Sequence, residues 1–302
     1  MLGLEHPNPG ISFPISMATN HPHKTHPKSA PRRKAPRRKK RKKQSGFLRF
    51  LRHLPSWILW TSGIVMVALY VFVLYYIFVG PFNMRWRAQF GNVPEPEGYE
   101  VRGIDVSHYQ QKIDWAKLQE AELSGNPVRF VIIKATEGLN LKDTHFRDNI
   151  RQARKRHIVT GAYHFFIPGC DPRKQAQYYI NNVSLHPGDL PPILDIEKMG
   201  NLTPRQLQDD VLTWLEIVEK HYGVRPIVYS FYDFKNKNLN TPILNQYPLW
   251  IARYYQQELG YEGDWMMWQY TDIGEVDGIK GKVDCSVFNG TMHELLQYCI
   301  KE

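Results

Sequence analysis

Four acidic residues stand where carboxylate chemistry could be done. Asp105 lies in GIDVS (103–107), Asp195 and Glu197 close the run PILDIE (192–197), and Asp284 lies in KVDCSVF (282–288). These runs are short, apolar and rich in β-branched residues, which is the pattern of buried strands. Asp195 and Glu197 are two apart, so on an extended backbone both side chains leave the same face, and Leu194 and Ile196 leave the other. Carboxylates brought together at strand ends repel one another unless they share protons. Crowding and burial then raise the pKa of at least one, which is how a general acid is made at neutral pH. A single strand-end Asp more often serves as a cap or ladder end, and a group of acids can also hold a metal. No calcium-loop spacing is present, however. The D-x-E pair beside two further strand-end acids points to hydrolysis of a glycosidic bond by paired carboxylates.

The aromatic residues fit such a substrate. Tyr109, Tyr163, Phe165, Tyr229, Tyr232, Trp250, Trp268 and Tyr270 all fall in or just after strand-like runs. Sugar rings have apolar faces that stack on aromatic rings, and Gln269 could reach sugar hydroxyls. Most such residues serve packing. Tyr163, Tyr229 and Trp268 are the favoured exceptions, with Trp250 the next candidate for substrate contact.

The elements that must position these groups alternate. Strands are expected at 103–107, 128–135, 159–166, 192–196, 227–231, 249–253, 266–270 and 282–288. Helices are expected at 113–123, 144–156, 172–183 and 203–221, the last opened by a Thr-Pro start signal at Thr203 and Pro204. Alternation of this kind implies a largely parallel sheet or barrel covered by helices. A complete eightfold β/α barrel typically needs about 250 residues, and fewer are present here. A barrel that begins as β/α units and closes with plain strands fits the length. An open doubly wound sheet would be expected to carry a G-x-G-x-x-G turn after a strand, and none follows one here. Closure brings the first strand beside the last, and Asp105 toward Asp284.

The chain has 302 residues and a formal net charge of +10, which invites a nucleic-acid reading. Its distribution argues otherwise. Residues 1–55 hold 14 basic residues against one acidic, whereas the remainder holds 25 against 28, a net charge of −3. Nucleic acid is therefore not an expected partner. The first 45 residues, rich in Pro, His, Lys and Arg, show no apolar periodicity, and 1–55 read as a disordered basic tail. Between Trp57 and Val79 run twenty-three residues without a charge, enough to span a bilayer core of about 30 Å. A cleaved signal peptide is the competing reading, but its apolar region would be about 7–15 residues long with a small-residue cleavage site after it. The run is longer, and GPFNMRW (80–86) offers no such site. An uncleaved single-pass anchor in the cytoplasmic membrane is expected. The basic run 32–43 places the N-terminus in the cytoplasm and the remainder outside, and adds attraction to anionic headgroups. The expected organisation is a tail (1–55), a span (56–80), a linker (81–102) and a domain (103–298). Three cysteines, Cys170, Cys285 and Cys299, exclude a disulfide framework and allow at most one bridge.

GIDVSHYQQKIDW (103–115), FVIIKATEG (130–138), GAYHFF (161–166), LPPILDIE (190–197), PIVYS (226–230), LWIARY (249–254), MWQYT (267–271) and VDCSVFNG (283–290) together resemble glycoside hydrolase family 25, the Chalaropsis-type lysozymes or N-acetylmuramidases. The resemblance runs in order across 103–298 and leaves out the tail and the span. It implies an α/β fold, a flattened TIM-like (β/α)5β3 barrel. The implied activity is cleavage of the β-1,4 bond after N-acetylmuramic acid in peptidoglycan, without metal or cofactor. On matching positions it implies that Glu197 is the general acid and that Asp195 orients the 2-acetamido group or stabilises the oxocarbenium-like state. Asp105 and Asp284 would complete an acidic cleft, and Glu137, the acid of K-A-T-E-G, would be a structural residue or stand at the cleft rim. Cys285 departs from the family pattern beside the site, with no expected change in chemistry. A wall-binding protein that kept the barrel and lost catalysis is the alternative, and it would need none of these four acids.

Overall fold

The computed structural model describes residues 55–75 and 95–301. The tail to residue 54, the expected span beyond Tyr75 and most of the linker lie outside them. Ser56–Leu74 form helix α1, nineteen residues without a charge. Trp57, Trp60, Ile64, Tyr70 and Phe72 are all exposed on it. At about 1.5 Å per residue it is about 28 Å long, and by length and composition it could cross a membrane.

The second region closes into a barrel. Its strands are β1 (Arg102–Val106), β3 (Asn126–Glu137), β5 (Val159–Phe165), β6 (Ile193–Asp195), β7 (Ile227–Phe231), β8 (Leu249–Ala252), β9 (Met267–Gly274) and β10 (Val283–Phe288). Two-residue strands β2 (Glu122–Leu123) and β4 (Leu141–Lys142) pair with β3 as side additions. The order β1-β10-β9-β8-β7-β6-β5-β3 is closed by a β1–β3 pairing. The strands from β1 to β9 in this ring run parallel. β10 is antiparallel to both its neighbours. Helices α2 (Trp115–Glu120), α3 (Phe146–Arg154), α4 (Pro172–Asn182) and α5 (Pro204–Tyr222) make the first four crossovers, and α6 (Met292–Tyr298) follows β10. The expected barrel, β/α units finished by plain strands, is the one observed.

Local chemistry explains the helix ends. Thr203 and Gln206 form a capping box with Pro204 in the first turn of α5, and Gly223 ends it at φ +71°, a conformation that costs glycine little. Asp171 caps α4 by accepting from the amides of Arg173 and Lys174. Three elements differ from expectation. Helix α2 is shorter than 113–123, because Glu122 and Leu123 leave it to pair with the start of β3. The fifth crossover is a chain of short turns, Tyr232–Phe234, the π-helical Lys235–Leu239 and Leu244–Gln246, over a segment rich in Asn, a poor helix former. Helix α6 was not anticipated, although its Thr291–Glu294 capping box is legible in the sequence.

Packing forms two layers. Phe130, Ile132, Ile193, Ile227, Trp250 and Met267 fill the barrel interior. Val131, Ile133, Leu194, Val228, Ile251 and Trp268 face outward with Leu118, Ile150, Tyr179, Trp214 and Leu215 of the helices. Strands buried on both faces read as continuous apolar runs, as these do. Residues just before β1, placed in the linker by sequence, belong with the barrel. Val101 is buried, its carbonyl accepts from Phe288 N at 2.9 Å, and Tyr99 lies 5.8 Å from the Trp265 ring.

Candidate active site

One cleft lies at the C-terminal ends of the parallel strands. It is lined by Asp105 from β1, Lys134 from β3, Tyr163 and Phe165 from β5, Asp195 from β6 and Glu197 just beyond it. Tyr229 from β7, Trp250 from β8, Tyr254 after it and Gln269 from β9 complete the wall. Asp284 joins them because β10 runs the opposite way, so its first residues stand where the other strands end. Asp284 is the register partner of Asp105, as closure of the barrel requires.

The backbone holds the acids in phase. Past the end of β6, Ile196 N still donates to Tyr229 O at 3.0 Å and Ile196 O accepts from Ser230 Oγ at 2.7 Å. The extended geometry therefore continues, with Leu194 and Ile196 in the outer layer and Asp195 and Glu197 on the cleft side. On β3 the pairing with β5 shifts between Lys134 and Thr136. That bulge inserts one residue, so Lys134 and Glu137, three apart, reach the same side and meet at 2.6 Å.

Hydrogen bonding sets the orientation of one amide. Gln269 Oε1 accepts from the hydroxyls of Tyr229 and Tyr254, each at 2.8 Å, and Gln269 Nε2 donates to Asp105 Oδ2 at 2.7 Å. Asp195 Oδ1 is buried and has no hydrogen-bond partner among the described residues.

The electrostatics follow from burial and crowding. Desolvation, then the charges of Asp284, Asp195 and Glu197, push Asp105 well above the ordinary carboxyl range, with the Gln269 donor opposing. Desolvation and Glu197 raise Asp195, and Lys134 pulls it back. Glu197 is raised by burial against the lowering effects of Lys198 and Lys134. Asp284 is raised to about 7 by burial, Asp272 and Glu197. The site thus retains protons on carboxylates near neutral pH, the state a general acid needs.

Several sequence candidates need comment. Tyr163, Tyr229, Trp250 and Gln269 line the cleft, Trp250 Nε1 being tied to Ser286 Oγ at 3.1 Å. Glu137 stands beside it, paired with Lys134. Trp268 is a correction: neighbours on a strand take opposite faces, and Gln269 takes the inner one. Trp268 is fully buried in the outer layer, where Nε1 donates to Arg253 O at 2.8 Å. Cys285 also faces outward, and Cys170, Cys285 and Cys299 are free thiols.

Sequence reasoning missed Lys134, Tyr254 and Asp272. Lys134 had a signal, a cation in a β-branched run in phase with the inward Phe130 and Ile132. Its ammonium and that of Lys198 lie 4.9 and 5.2 Å from the Phe165 ring centre. Asp272, which accepts from the Tyr255 hydroxyl, comes to Asp284 only through the β9–β10 pairing. Among the described residues no three His, Cys, Asp or Glu side chains are grouped to hold a metal ion.

The model of glycosyl hydrolases family 25 matches residues 104–279. The chain belongs to that family. It is 42% identical over 201 residues to the uncharacterized protein YegX of Escherichia coli (strain K12), covering 66% of this chain and 74% of that protein. It is 32% identical over 211 residues to Lysozyme M1 of Streptomyces globisporus, covering 65% and 70%. Its barrel is similar to a solved family 25 glycosyl hydrolase from Bacillus anthracis. That likeness has a TM-score of 0.61 and 31% identity, over 68% of this chain and 96% of that one. Asp105, Asp195 and Glu197 fall inside the matched segment. Asp284 lies beyond it and joins them through β10.

Proposed function

We propose that this family 25 glycoside hydrolase is a muramidase, tethered to the outer face of the cytoplasmic membrane by residues 57–79. It would cleave the β-1,4 bond between N-acetylmuramic acid and N-acetylglucosamine in peptidoglycan. The observation that carries the reading is the convergence of Asp105, Asp195, Glu197 and Asp284 on one cleft, with burial holding protons on its acids. A binder would derive nothing from four crowded carboxylates, which destabilise the fold it needs. The similarity to a Streptomyces lysozyme supports the substrate class.

In this reading Glu197, less buried than Asp105 and Asp195, donates its proton to the glycosidic oxygen as the C1–O bond breaks. The positive charge that develops on the sugar is stabilised by Asp195, whose unpaired Oδ1 can accept from the 2-acetamido N–H. Water then supplies hydroxide to C1 and returns a proton to a carboxylate, which restores the site. Asp105, oriented by Gln269, and Asp284 share charge and protons at the cleft floor.

Glu197→Gln is expected to abolish clearing of a peptidoglycan suspension while keeping the thermal unfolding midpoint of the wild type. Lysis at the wild-type rate would overturn the acid assignment. Mass spectrometry of the released muropeptides tests the bond: N-acetylmuramic acid at the reducing end is expected, and N-acetylglucosamine there would contradict it.

A further inference from the structure

We propose that Tyr109 is a rigid stacking platform for a pyranose ring of the glycan strand, lengthening the cleft beyond the four carboxylates. The inference rests on the muramidase reading and names a sugar-binding position for it. Tyr109 lines the cleft and is 76% exposed. It follows directly on the strand that carries Asp105. A large aromatic left in water forfeits the gain of burying it, so an exposed ring at a substrate cleft calls for a reason.

The ring is also held still. His108 lies against it with centroids 4.2 Å apart and planes 32° from parallel. His108 is pinned in turn by the buried Asp143, whose Oδ2 accepts from His108 N at 2.8 Å and pairs with His108 Nδ1 at 2.9 Å. Asp143 is anchored through its own amide to Ala135 O of β3 at 3.0 Å. Ser107 and Gln110 form a capping box around the Tyr109 turn, and Gln110 Nε2 donates to Lys282 O at 3.2 Å. One side of the tyrosine is thus backed by an imidazole that three elements hold in place, and the exposed surface remains available. An aromatic fixed before binding loses little conformational entropy when a ligand arrives. The apolar C–H face of a neutral pyranose suits it, because stacking requires no charge beside an acidic cleft.

The test uses the full chain in detergent with peptide-free glycan oligosaccharides of four and eight sugars prepared from peptidoglycan. Tyr109→Ala is expected to lower kcat/KM about tenfold on the longer substrate, the worth of about 1.4 kcal/mol, through KM, and less than twofold on the shorter. Tyr109→Phe keeps the ring and is expected to restore the KM, whereas His108→Ala, which removes the backing, falls between. Equal losses on both lengths would overturn the platform. So would a Tyr109→Phe variant as impaired as Tyr109→Ala. A wild-type chain that cleaves neither oligosaccharide would overturn the muramidase reading and the platform with it.

Discussion

At the scale of single residues, the cleft trades stability for protonation. Asp284 ionises near 3.8 in an unfolded chain and is raised to about 7 in the fold, by burial first and then by Asp272 and Glu197. Between those values the folded state holds a proton that the unfolded state has released. Stability from this group is therefore fully present below pH 3.8 and is lost as pH rises to about 7. Asp284→Asn removes the buried charge at nearly constant shape. It is expected to raise Tm at pH 8, by about 2–4 °C for each kcal/mol recovered, with little gain at pH 4, while activity is lost. Calorimetric scans at the two pH values check this, and an unchanged or lower Tm at pH 8 would refute it.

Residue types alone took the site a long way. The D-x-E spacing placed Asp195 and Glu197 on one face because alternation along a strand is a local property. The same local rule was not enough for Trp268 and Gln269, since it says that they differ without saying which one faces in. Lys134 and Glu137 show the opposite failure. Their odd spacing predicts opposite faces, and only the bulge opposite Tyr163 and His164 brings them together.

At the scale of elements, the barrel depends on close approach between strands. Gly103 on β1 faces the Phe130 ring of β3, and a Cβ built there would overlap it. Phe130 is fully buried inside the barrel and has nowhere to yield. Gly103→Ala is expected to cost about 1–3 kcal/mol by overpacking. It should lower activity as well, since β1 carries Asp105 two residues on. A denaturant midpoint equal to that of the wild type would contradict this. The strongly patterned elements were legible because their signals are local: Ile227–Phe231 has the expected bounds, and the long helix α5 matches to within a residue at each end. The fifth crossover and β2 were not, because pairing with β3 and packing against the barrel decide those segments.

At the scale of the whole molecule, the charge and the apolar stretch make a separable prediction. If residues 57–79 anchor the chain, it should sediment with membranes and stay there after washing with about 1 M salt, where screening reaches about 3 Å, and with alkaline carbonate. Removal of residues 1–80 should release it. Release by salt alone would mean that the basic run 32–43 holds the chain by electrostatics and that the apolar helix does not span. The +10 net charge therefore says little about the cleft, since residues 56–302 carry a net charge of −3.

Composition, periodicity and motif spacing by themselves determined the class of barrel, the acids of the cleft and the apolar segment before it. These follow from properties that act over a few residues: alternation, capping, and the exclusion of charge from a long apolar run. Tertiary structure decided which neighbour on a strand faces the cleft and where a bulge resets the phase. It also decided how far burial lifts each carboxyl, and that the antiparallel β10 delivers Asp284 to Asp105. Those outcomes depend on contacts between separate strands, the farthest joining Asp105 to Gln269 and Asp284, and such contacts exist only once the barrel has closed.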